Sequence, residues 1–146
     1  MIKIILAKKS ELDWINACYD EIGFVHSIFD EEIIAIAEVN GQKAGIGRLV
    51  TIDEKNLELG GIYVFEDFRN QGVARKIVEF LLNKAPSSRA IYCIPFENLT
   101  PFYKQFGFID CLNLEHVPKK LLKKRLWCQE KYTQPTSFLV MEKHFS

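Results

Sequence analysis

The feature that most constrains this chain is a strand that runs through a short polar turn directly into a helix. Residues 57–64 are mainly apolar and typical of a strand, interrupted by paired glycines at 60–61. After the turn at 65–68, apolar residues between 73 and 81 recur at helical spacing. Another apolar strand follows at 90–94, so the order strand, helix, strand predicts a crossover connection within a sheet.

Further elements follow from apolar spacing and turn residues. Asn40-Gly41 between two apolar runs indicates a tight hairpin, and Ser10 begins a sequence resembling a capping box. Gly23 marks a helix end, and the paired glycines at 60–61 indicate either a β-bulge or a close approach of a ligand to the backbone. The other predicted strands are 2–6, 33–39, 44–52 and 137–144, and the other predicted helices are 12–22, 99–106 and 117–131.

Length and charge are typical of an ordinary globular protein and favour small ligands. The 146 residues, 48 % apolar and 26 % charged, predict a single domain over residues 1–146. Nineteen basic residues balance nineteen acidic ones, so no global field attracts nucleic acid or an anionic membrane. No apolar stretch approaches the roughly 18 residues of a membrane span, and the first apolar run is too short for a signal peptide. We therefore expect a cytoplasmic protein without nucleic-acid or membrane partners.

The four cysteines indicate reduced thiols in the protein interior. Cys18, Cys93, Cys111 and Cys128 are widely spaced, with no Cys-x-x-Cys and no paired Cys/His pattern. A catalytic cysteine would need a histidine partner, and the sequence names no obvious one. We therefore expect neither a disulfide nor a metal site.

The turn that opens the helix at residue 73 is suited to an anion. The first N–H groups of a helix are unpaired and carry a partial positive charge. Gly72 and Ala74 leave the approach to these groups uncluttered, and Arg69 and Arg75 can add charge-assisted hydrogen bonds. The alternative is an ordinary solvated turn between a strand and a helix.

This segment resembles the signature of the GNAT superfamily of N-acetyltransferases: Arg or Gln, two residues, Gly, one residue, then Gly or Ala. Residues 69–74 meet the pattern, with Ala74 at the position that is more often Gly. Residues 59–64 resemble the superfamily's bulged fourth strand, and residues 98–108 resemble its second motif, which ends in Tyr…Gly-Phe. The resemblance covers roughly residues 1–110 and the last strand. It implies an α+β fold with a central, twisted, mostly antiparallel mixed sheet of about six to seven strands flanked by helices.

The resemblance also implies that the chain binds acetyl-coenzyme A as a co-substrate, with no metal. Backbone groups of Ile62, Tyr63 and Val64 would hydrogen-bond the pantetheine arm, and an N–H near Ile62 would receive the thioester oxygen. Asn98 would also bond the pantetheine, a role that can coexist with that of a helix cap. The pyrophosphate would lie against the turn formed by Arg69, Asn70, Gln71, Gly72, Val73, Ala74 and Arg75.

Two residues fit the proton transfers that acyl transfer requires. The resemblance places Tyr103 near the coenzyme A sulfur, where its phenol would protonate the departing thiolate. The alternative for Tyr103 is a core aromatic on the face of Phe102 and Phe106. Glu58 occupies a strand position that part of the superfamily uses for a general base, and its alternative is an exposed strand glutamate.

The acceptor is the least defined part of the predicted site. In this superfamily, the segment that here spans residues 19–32 usually borders the acceptor pocket. It contains no Lys or Arg, which favours a cationic acceptor unless its carboxylates are merely solvated, and His26 is either a base, a ligand or structural. The five carboxylates are Asp20, Glu21, Asp30, Glu31 and Glu32.

Residues 112–136 exceed the usual family connection, and we expect substrate specificity to reside there. Their basic cluster suggests either nucleic-acid or coenzyme phosphate contact, or simply the wet side of a packed amphipathic helix. The helical spacing of apolar residues favours the helix, with its lysines in solvent. Its apolar residues are Leu121, Leu122, Leu126 and Trp127.

The sequence as a whole predicts an N-acetyltransferase that acts by direct transfer in a ternary complex. The acceptor would be a primary amine of a small molecule or a protein, and the enzyme would be a monomer or a homodimer. The alternative is a non-catalytic domain of the same fold that binds or senses acyl-coenzyme A. A dinucleotide-binding site is disfavoured because Gly45-Ile46-Gly47 lacks the remaining glycine at the required spacing.

Overall fold

The computed structural model of the protein describes residues 1–142 and divides the chain into two compact units. The first unit comprises residues 1–50 and 60–85, and the second comprises residues 51–59 and the chain from residue 86 onward. The described strands are β1 (Ile2–Leu6), β2 (Glu32–Val39), β3 (Gln42–Thr51), β4 (Asn56–Val64), β5 (Ala90–Cys93), β6 (Ile109–Asp110) and β7 (Leu139–Met141). The described helices of more than three residues are α1 (Leu12–Ile22), α2 (Val73–Lys84), α3 (Thr100–Lys104) and α4 (Lys119–Lys131).

The strands follow the hydrogen-bonded order β1-β2-β3-β4-β5-β7-β6, seven in the part of the chain that the structure describes. β4 pairs with β5 in parallel, whereas β1/β2, β2/β3, β5/β7 and β6/β7 are antiparallel. The parallel pair requires a long crossover, which α2 supplies. The predicted α+β fold with a mostly antiparallel mixed sheet is therefore confirmed.

In the first unit, the antiparallel strands β1, β2 and β3 pack against α1 around one apolar cluster. The turn between β2 and β3 has Asn40 at φ 51° and Gly41 at φ 83°, which confirms the predicted tight hairpin. α1 places Ile15 and Tyr19 against the strand residues Ile36 and Ile46, all of them with no measurable exposure. Full burial of each such isoleucine contributes about 1.5–3 kcal/mol to stability.

The second unit has its own apolar cluster beneath α4. Leu121 of α4 packs with Ala90 and Tyr92 of β5 and with Phe138 and Val140 at the last strand. The ring of Tyr92 stacks on that of Phe138 with centroids 5.7 Å apart. α4 is therefore a packed helix, as the spacing predicts, although its buried face differs from the predicted one.

Several element boundaries differ from the sequence prediction. Ser10 lies inside a 3-10 turn, Lys9–Glu11, and the cap is instead made by Glu11, whose Oε1 accepts the Lys8 N–H at 2.8 Å. The predicted end of α1 is confirmed, because Gly23 adopts a left-handed φ of 70°. The predicted last strand, 137–144, is described only to residue 142, so its final two residues lie outside the described part of the chain.

Candidate active site

The turn that leads into α2 adopts the conformation that an anion site needs. Gly72 is the N-cap residue directly before α2, and its φ of 83° is left-handed, a conformation that favours glycine. Asn70 is also left-handed, with φ 64°. Gly72 has no atom within 4 Å of the position where a side chain would begin, and no side chain caps the helix. The first turn of α2 is therefore left open to an external partner.

The charges around this turn complement an anion. The first helical turn, residues 73–76, contains no acidic side chain but does contain Arg75, which is opposite to the usual preference at a helix N-terminus. Arg69 is held at the turn because its Nε donates to the carbonyl of Val64 at 3.1 Å, and Gln71 Nε2 donates to the carbonyl of Asp67 at 3.3 Å. Such an arrangement is stabilised when a bound anion supplies the missing negative charge.

The second of the paired glycines of β4 is explained by a contact within the protein. Gly61 is left-handed, with φ 61°, and its carbonyl accepts a hydrogen bond from the hydroxyl of Tyr19 at 2.7 Å. A Cβ atom at this position would lie 2.5 Å from the Tyr19 hydroxyl and 2.8 Å from Nε of Arg48. The sequence left open a bulge or a close ligand approach, and the structure shows two side chains in the place that a Cβ would need. The next residues, Ile62–Val64, are half-buried.

A buried polar cluster surrounds Tyr19 in the first unit. The guanidinium of Arg48 lies 4.3 Å from the centre of the Tyr19 ring, and its Nη1 donates to Oγ of Ser27 at 2.7 Å. The same Nη1 is 4.0 Å from Oε1 of Glu32, whose side chain is 5 % exposed. Burial raises the pKa of the Tyr19 phenol, so this hydroxyl remains a hydrogen-bond donor over the physiological range.

Arg48 and Ser27 were missed by the sequence analysis, and they change the interpretation of the acidic segment. The Glu32 side chain is buried beside Arg48 and also accepts a hydrogen bond from the N–H of Ile28 at 2.7 Å. It therefore does not belong to the solvent-facing carboxylates. The other four acidic residues of residues 19–32 are exposed. His26 Nε2 lies 2.6 Å from Oδ1 of Asp20 at the surface. An arginine within the apolar run of β3 was the available sequence signal for this buried cluster.

Glu58 is buried and ion-paired. It is 3 % exposed, and its Oε2 lies 2.6 Å from Nζ of Lys124 on α4. The alternative of an exposed strand glutamate is therefore wrong. The expectation that the α4 lysines all lie in solvent is also wrong for Lys124, whose side chain is only 30 % exposed. The buried residues of α4 are Leu121 and Cys128, whereas Leu126 and Trp127 are 59 % and 38 % exposed.

Tyr103 lies in the core of the second unit, as one of its two interpretations predicts. It is 5 % exposed, and its ring makes edge contacts with Phe102 at 5.0 Å and Phe108 at 6.2 Å between centroids. Burial, together with the nearby Cys93 thiol, raises the pKa of Tyr103 well above its usual value. The phenol therefore carries its proton at neutral pH.

Cys93 of β5 is a buried thiol close enough to Tyr103 and Glu58 to interact with both electrostatically. Burial, and after it the charge of Glu58, raises the pKa of Cys93 well above its usual value. Cys18 and Cys128 are also buried and Cys111 is partly exposed; all four are free, and burial raises the pKa of each. Burial therefore makes these thiols poor nucleophiles, and the predicted interior location holds for Cys18, Cys93 and Cys128 but not for Cys111.

Asn98 does not cap the helix that follows it. It lies in a 3-10 turn, Glu97–Leu99, and is exposed, whereas α3 begins after Leu99 without a side-chain hydrogen bond at its start. The cap interpretation is therefore wrong, and the side chain is available for another partner.

Other features in residues 1–142 do not add to the predicted site. A surface pocket of about 660 Å³ in the second unit has no predicted site residue in its lining, which is formed by Glu97, Thr100, Pro101, Lys104, Gln105 and Ser137. In the described part of the chain, His, Cys, Asp and Glu side chains form no group of three placed to hold a metal ion. None of the helices described there has the length and apolarity needed to cross a membrane.

Solved structures with the same fold are numerous. N-acetylglutamate synthase from Neisseria gonorrhoeae, complexed with coenzyme A and N-acetyl-glutamate, matches at a TM-score of 0.72 and 18 % identity, over 99 % of this chain and 36 % of that one. The ribosomal-protein-S18-alanine N-acetyltransferase from Escherichia coli matches at a TM-score of 0.72 and 13 % identity, over 100 % of this chain and 96 % of that one. Arabidopsis thaliana Naa50, complexed with the bisubstrate analogue CoA-Ac-MVNAL, matches at a TM-score of 0.69 and 13 % identity, over 97 % of this chain and 98 % of that one.

These likenesses define the fold class, an acetyltransferase-like α+β domain. The chain spans about a third of the length of the N-acetylglutamate synthase that it matches. Comparison with curated protein sequences gives no match. The model of the acetyltransferase (GNAT) family matches residues 5–108, and the chain belongs to that family.

Proposed function

We propose that this protein is an N-acetyltransferase that transfers the acetyl group of acetyl-coenzyme A to a primary amine. The observation that carries the proposal is the open start of α2, where a left-handed Gly72 leads into a first turn without an acidic residue and with Arg75. In a member of the GNAT family, this turn is suited to the pyrophosphate of coenzyme A. The similar structures that hold coenzyme A or a bisubstrate analogue support the same assignment.

The remaining coenzyme contacts are assigned by the family pattern. Arg69 through Arg75 would hold the pyrophosphate, and Ile62, Tyr63 and Val64 would hydrogen-bond the pantetheine arm through their backbone groups. The exposed side chain of Asn98 would bond the pantetheine as well. The N–H of Ile62 would stabilise the negative charge that develops on the thioester oxygen.

The chemistry proposed is direct transfer without a covalent enzyme intermediate. The neutral amine forms a bond to the acetyl carbon, the C–S bond breaks, and the amine proton passes to a base while the thiolate of coenzyme A takes a proton. We assign the acid to Tyr103, whose buried phenol carries its proton at neutral pH. We assign the base to Glu58, through Oε1, because Oε2 is engaged by Lys124.

One observation favours a second candidate, a domain that binds or senses acyl-coenzyme A without catalysis. Oε2 of the Glu58 carboxylate is already engaged by Nζ of Lys124 at 2.6 Å, so this oxygen is not available to an acceptor amine. Substitution Tyr103→Phe separates the candidates. In the enzyme it lowers kcat strongly with coenzyme affinity nearly unchanged, whereas in a binding domain there is no turnover to lose.

The proposed function is tested by release of the coenzyme A thiol from acetyl-coenzyme A across a panel of small amines and peptides. Thermal stabilisation by coenzyme A alone is measured in parallel. The variant Arg75→Gln should weaken coenzyme binding by about tenfold, the lower end of the loss of a charge-assisted hydrogen bond. Lys84→Gln, which removes the same charge at the opposite end of α2, should leave binding nearly unchanged. Absence of any stabilisation by coenzyme A would refute the assignment.

A further inference from the structure

The hydroxyl of Tyr19 acts on the peptide group that joins Gly61 to Ile62. It donates to the Gly61 carbonyl at 2.7 Å, in the buried cluster of the first unit. The amide hydrogen of this same peptide group belongs to Ile62, the residue whose N–H is assigned above to the thioester oxygen. The described residues contain no cis peptide bond, so the carbonyl and the N–H of this group point in opposite directions. A donor on the carbonyl therefore leaves the N–H directed away from Tyr19.

Two physical effects follow from the hydrogen bond to the carbonyl. The first is orientation: Gly61 has no Cβ to restrict rotation of the peptide plane that follows it, and the hydrogen bond from the Tyr19 hydroxyl holds that plane at one angle. The second is polarisation, because a hydrogen bond accepted by a peptide carbonyl strengthens the N–H of the same group as a donor, by about 10–30 % per bond.

The position of the hydroxyl is itself fixed by the cluster around it. The Tyr19 ring is fully buried, and the guanidinium of Arg48 lies on its face at 4.3 Å. Arg48 is anchored by its hydrogen bond to Ser27 and lies beside the Glu32 carboxylate. A Cβ at Gly61 would collide with the same hydroxyl and with Arg48. The Tyr19 and Arg48 side chains therefore fit here only because residue 61 is a glycine.

We propose that Tyr19 is a positioning residue for acyl transfer: its hydrogen bond to the Gly61 carbonyl orients and polarises the Ile62 N–H that stabilises the oxyanion. The proposal rests on the proposed function for the identity of the oxyanion, and on the geometry of the first unit alone for the contact. Tyr19 touches neither the coenzyme nor the acceptor in this proposal, and it acts only through the peptide group.

The test uses the full chain with Tyr19→Phe, which removes one oxygen and keeps the ring. Loss of a whole oxyanion donor costs about 10²–10³ in kcat, and weakening such a donor should cost less, about tenfold. The KM for acetyl-coenzyme A and the affinity for coenzyme A should stay within about twofold, since binding of the pantetheine does not depend on oxyanion charge. Tyr92→Phe, which removes the hydroxyl of another buried tyrosine, in the second unit, should leave kcat unchanged.

A second readout does not depend on turnover. In the ¹H–¹⁵N spectrum, the Ile62 amide should shift upfield in Tyr19→Phe and stay in place in Tyr92→Phe, because only the first substitution removes the hydrogen bond on its peptide group. Replacing Tyr19 with 3-fluorotyrosine, whose phenol is a stronger donor, should shift the amide in the opposite direction. An Ile62 amide that does not respond overturns the proposal, as does a fall in kcat matched by an equal rise in KM.

The outcomes also separate this proposal from the proposed function. A wild-type protein that binds no coenzyme A and releases no thiol refutes the proposed function, and with it the role of Ile62 toward an oxyanion. A wild-type protein that is active, with Tyr19→Phe as fast as wild type, refutes only the positioning role. Active wild type, slowed Tyr19→Phe and a shifted Ile62 amide support both.

Discussion

The ion pair between Glu58 and Lys124 gives the sharpest prediction for stability. The variant Lys124→Met keeps the length of the side chain and removes its charge, which leaves the buried Glu58 carboxylate without its partner at 2.6 Å. Breaking a fully buried pair in this way costs about 3–5 kcal/mol. The Lys124 side chain is 30 % exposed, so water already screens the pair and we expect a smaller loss of about 2 kcal/mol.

The loss is measured as the free energy of unfolding in urea and as the melting temperature. A loss of about 2 kcal/mol corresponds to about 4–8 °C for a chain of this size. Lys123→Met is the matched control, because Lys123 precedes Lys124 on α4 and is exposed. Its effect should stay within about 0.5 kcal/mol, the range of surface substitutions.

A double-mutant cycle identifies the source of the loss. Glu58→Gln combined with Lys124→Met should recover part of the stability that Lys124→Met loses, because the neutral amide no longer needs a cation. The reasoning fails if Lys124→Met is as stable as Lys123→Met, or if the two losses in the cycle simply add. Either result would mean that the pair contributes nothing beyond the packing of α4.

Three further predictions concern residues with constrained environments. Gly61→Ala should destabilise the protein by about 3 kcal/mol in urea unfolding, because a left-handed alanine costs about 1–2 kcal/mol and its Cβ displaces the Tyr19 hydroxyl; a loss below about 1 kcal/mol contradicts the geometry. Gly72→Ala should cost only the backbone term, about 1–2 kcal/mol, because nothing lies within 4 Å of the new atom; an equal loss in both variants would contradict that distinction. The raised pKa of Tyr103 should make stability fall above pH ~10, where the unfolded chain releases a proton that the folded chain keeps. Below that pH the contribution of Tyr103 to the free energy of unfolding is fully present. Tyr103→Phe should make the fall of this free energy with pH less steep, by up to about 1.4 kcal/mol per pH unit. An unchanged slope would contradict the prediction.

The parts of the fold that the sequence predicted are those fixed by neighbours along the chain. The hairpin at Asn40-Gly41 needs two left-handed residues in succession, and few other pairs supply them. The start of α2 is set by Gly72 and by the apolar spacing that follows it. Local chemistry decides both features, so one sequence was enough.

The parts that the sequence did not predict depend on partners far along the chain. The buried residues of α4 are Leu121 and Cys128, and Lys124 of the same helix pairs with Glu58, a residue 66 positions away. Helical spacing alone could not reveal this, because three leucines and a tryptophan fit more than one face. Short β6, only Ile109–Asp110, exists through its pairing with β7 rather than through any apolar pattern of its own.

The same limit applied to the candidate site. Glu58 was identified as a site residue, but its burial and its cation depend on α4, which lies outside the part of the chain that resembles the family. The role of the Tyr19 hydroxyl was not predicted, because it acts on Gly61, 42 residues away. The glycine pair indicated a close approach to the backbone of β4, and only the structure showed that the Tyr19 and Arg48 side chains make it.

The buried thiols have a practical consequence for measuring the proposed reaction. Colorimetric thiol reagents are attacked by thiolates, and the pKa values of Cys18, Cys93 and Cys128 are raised by burial in the protein interior. The protein should therefore add little colour of its own, mostly from the partly exposed Cys111. A Cys111→Ser variant would lower that background further, so that the absorbance reports the thiol of released coenzyme A rather than the thiols of the protein.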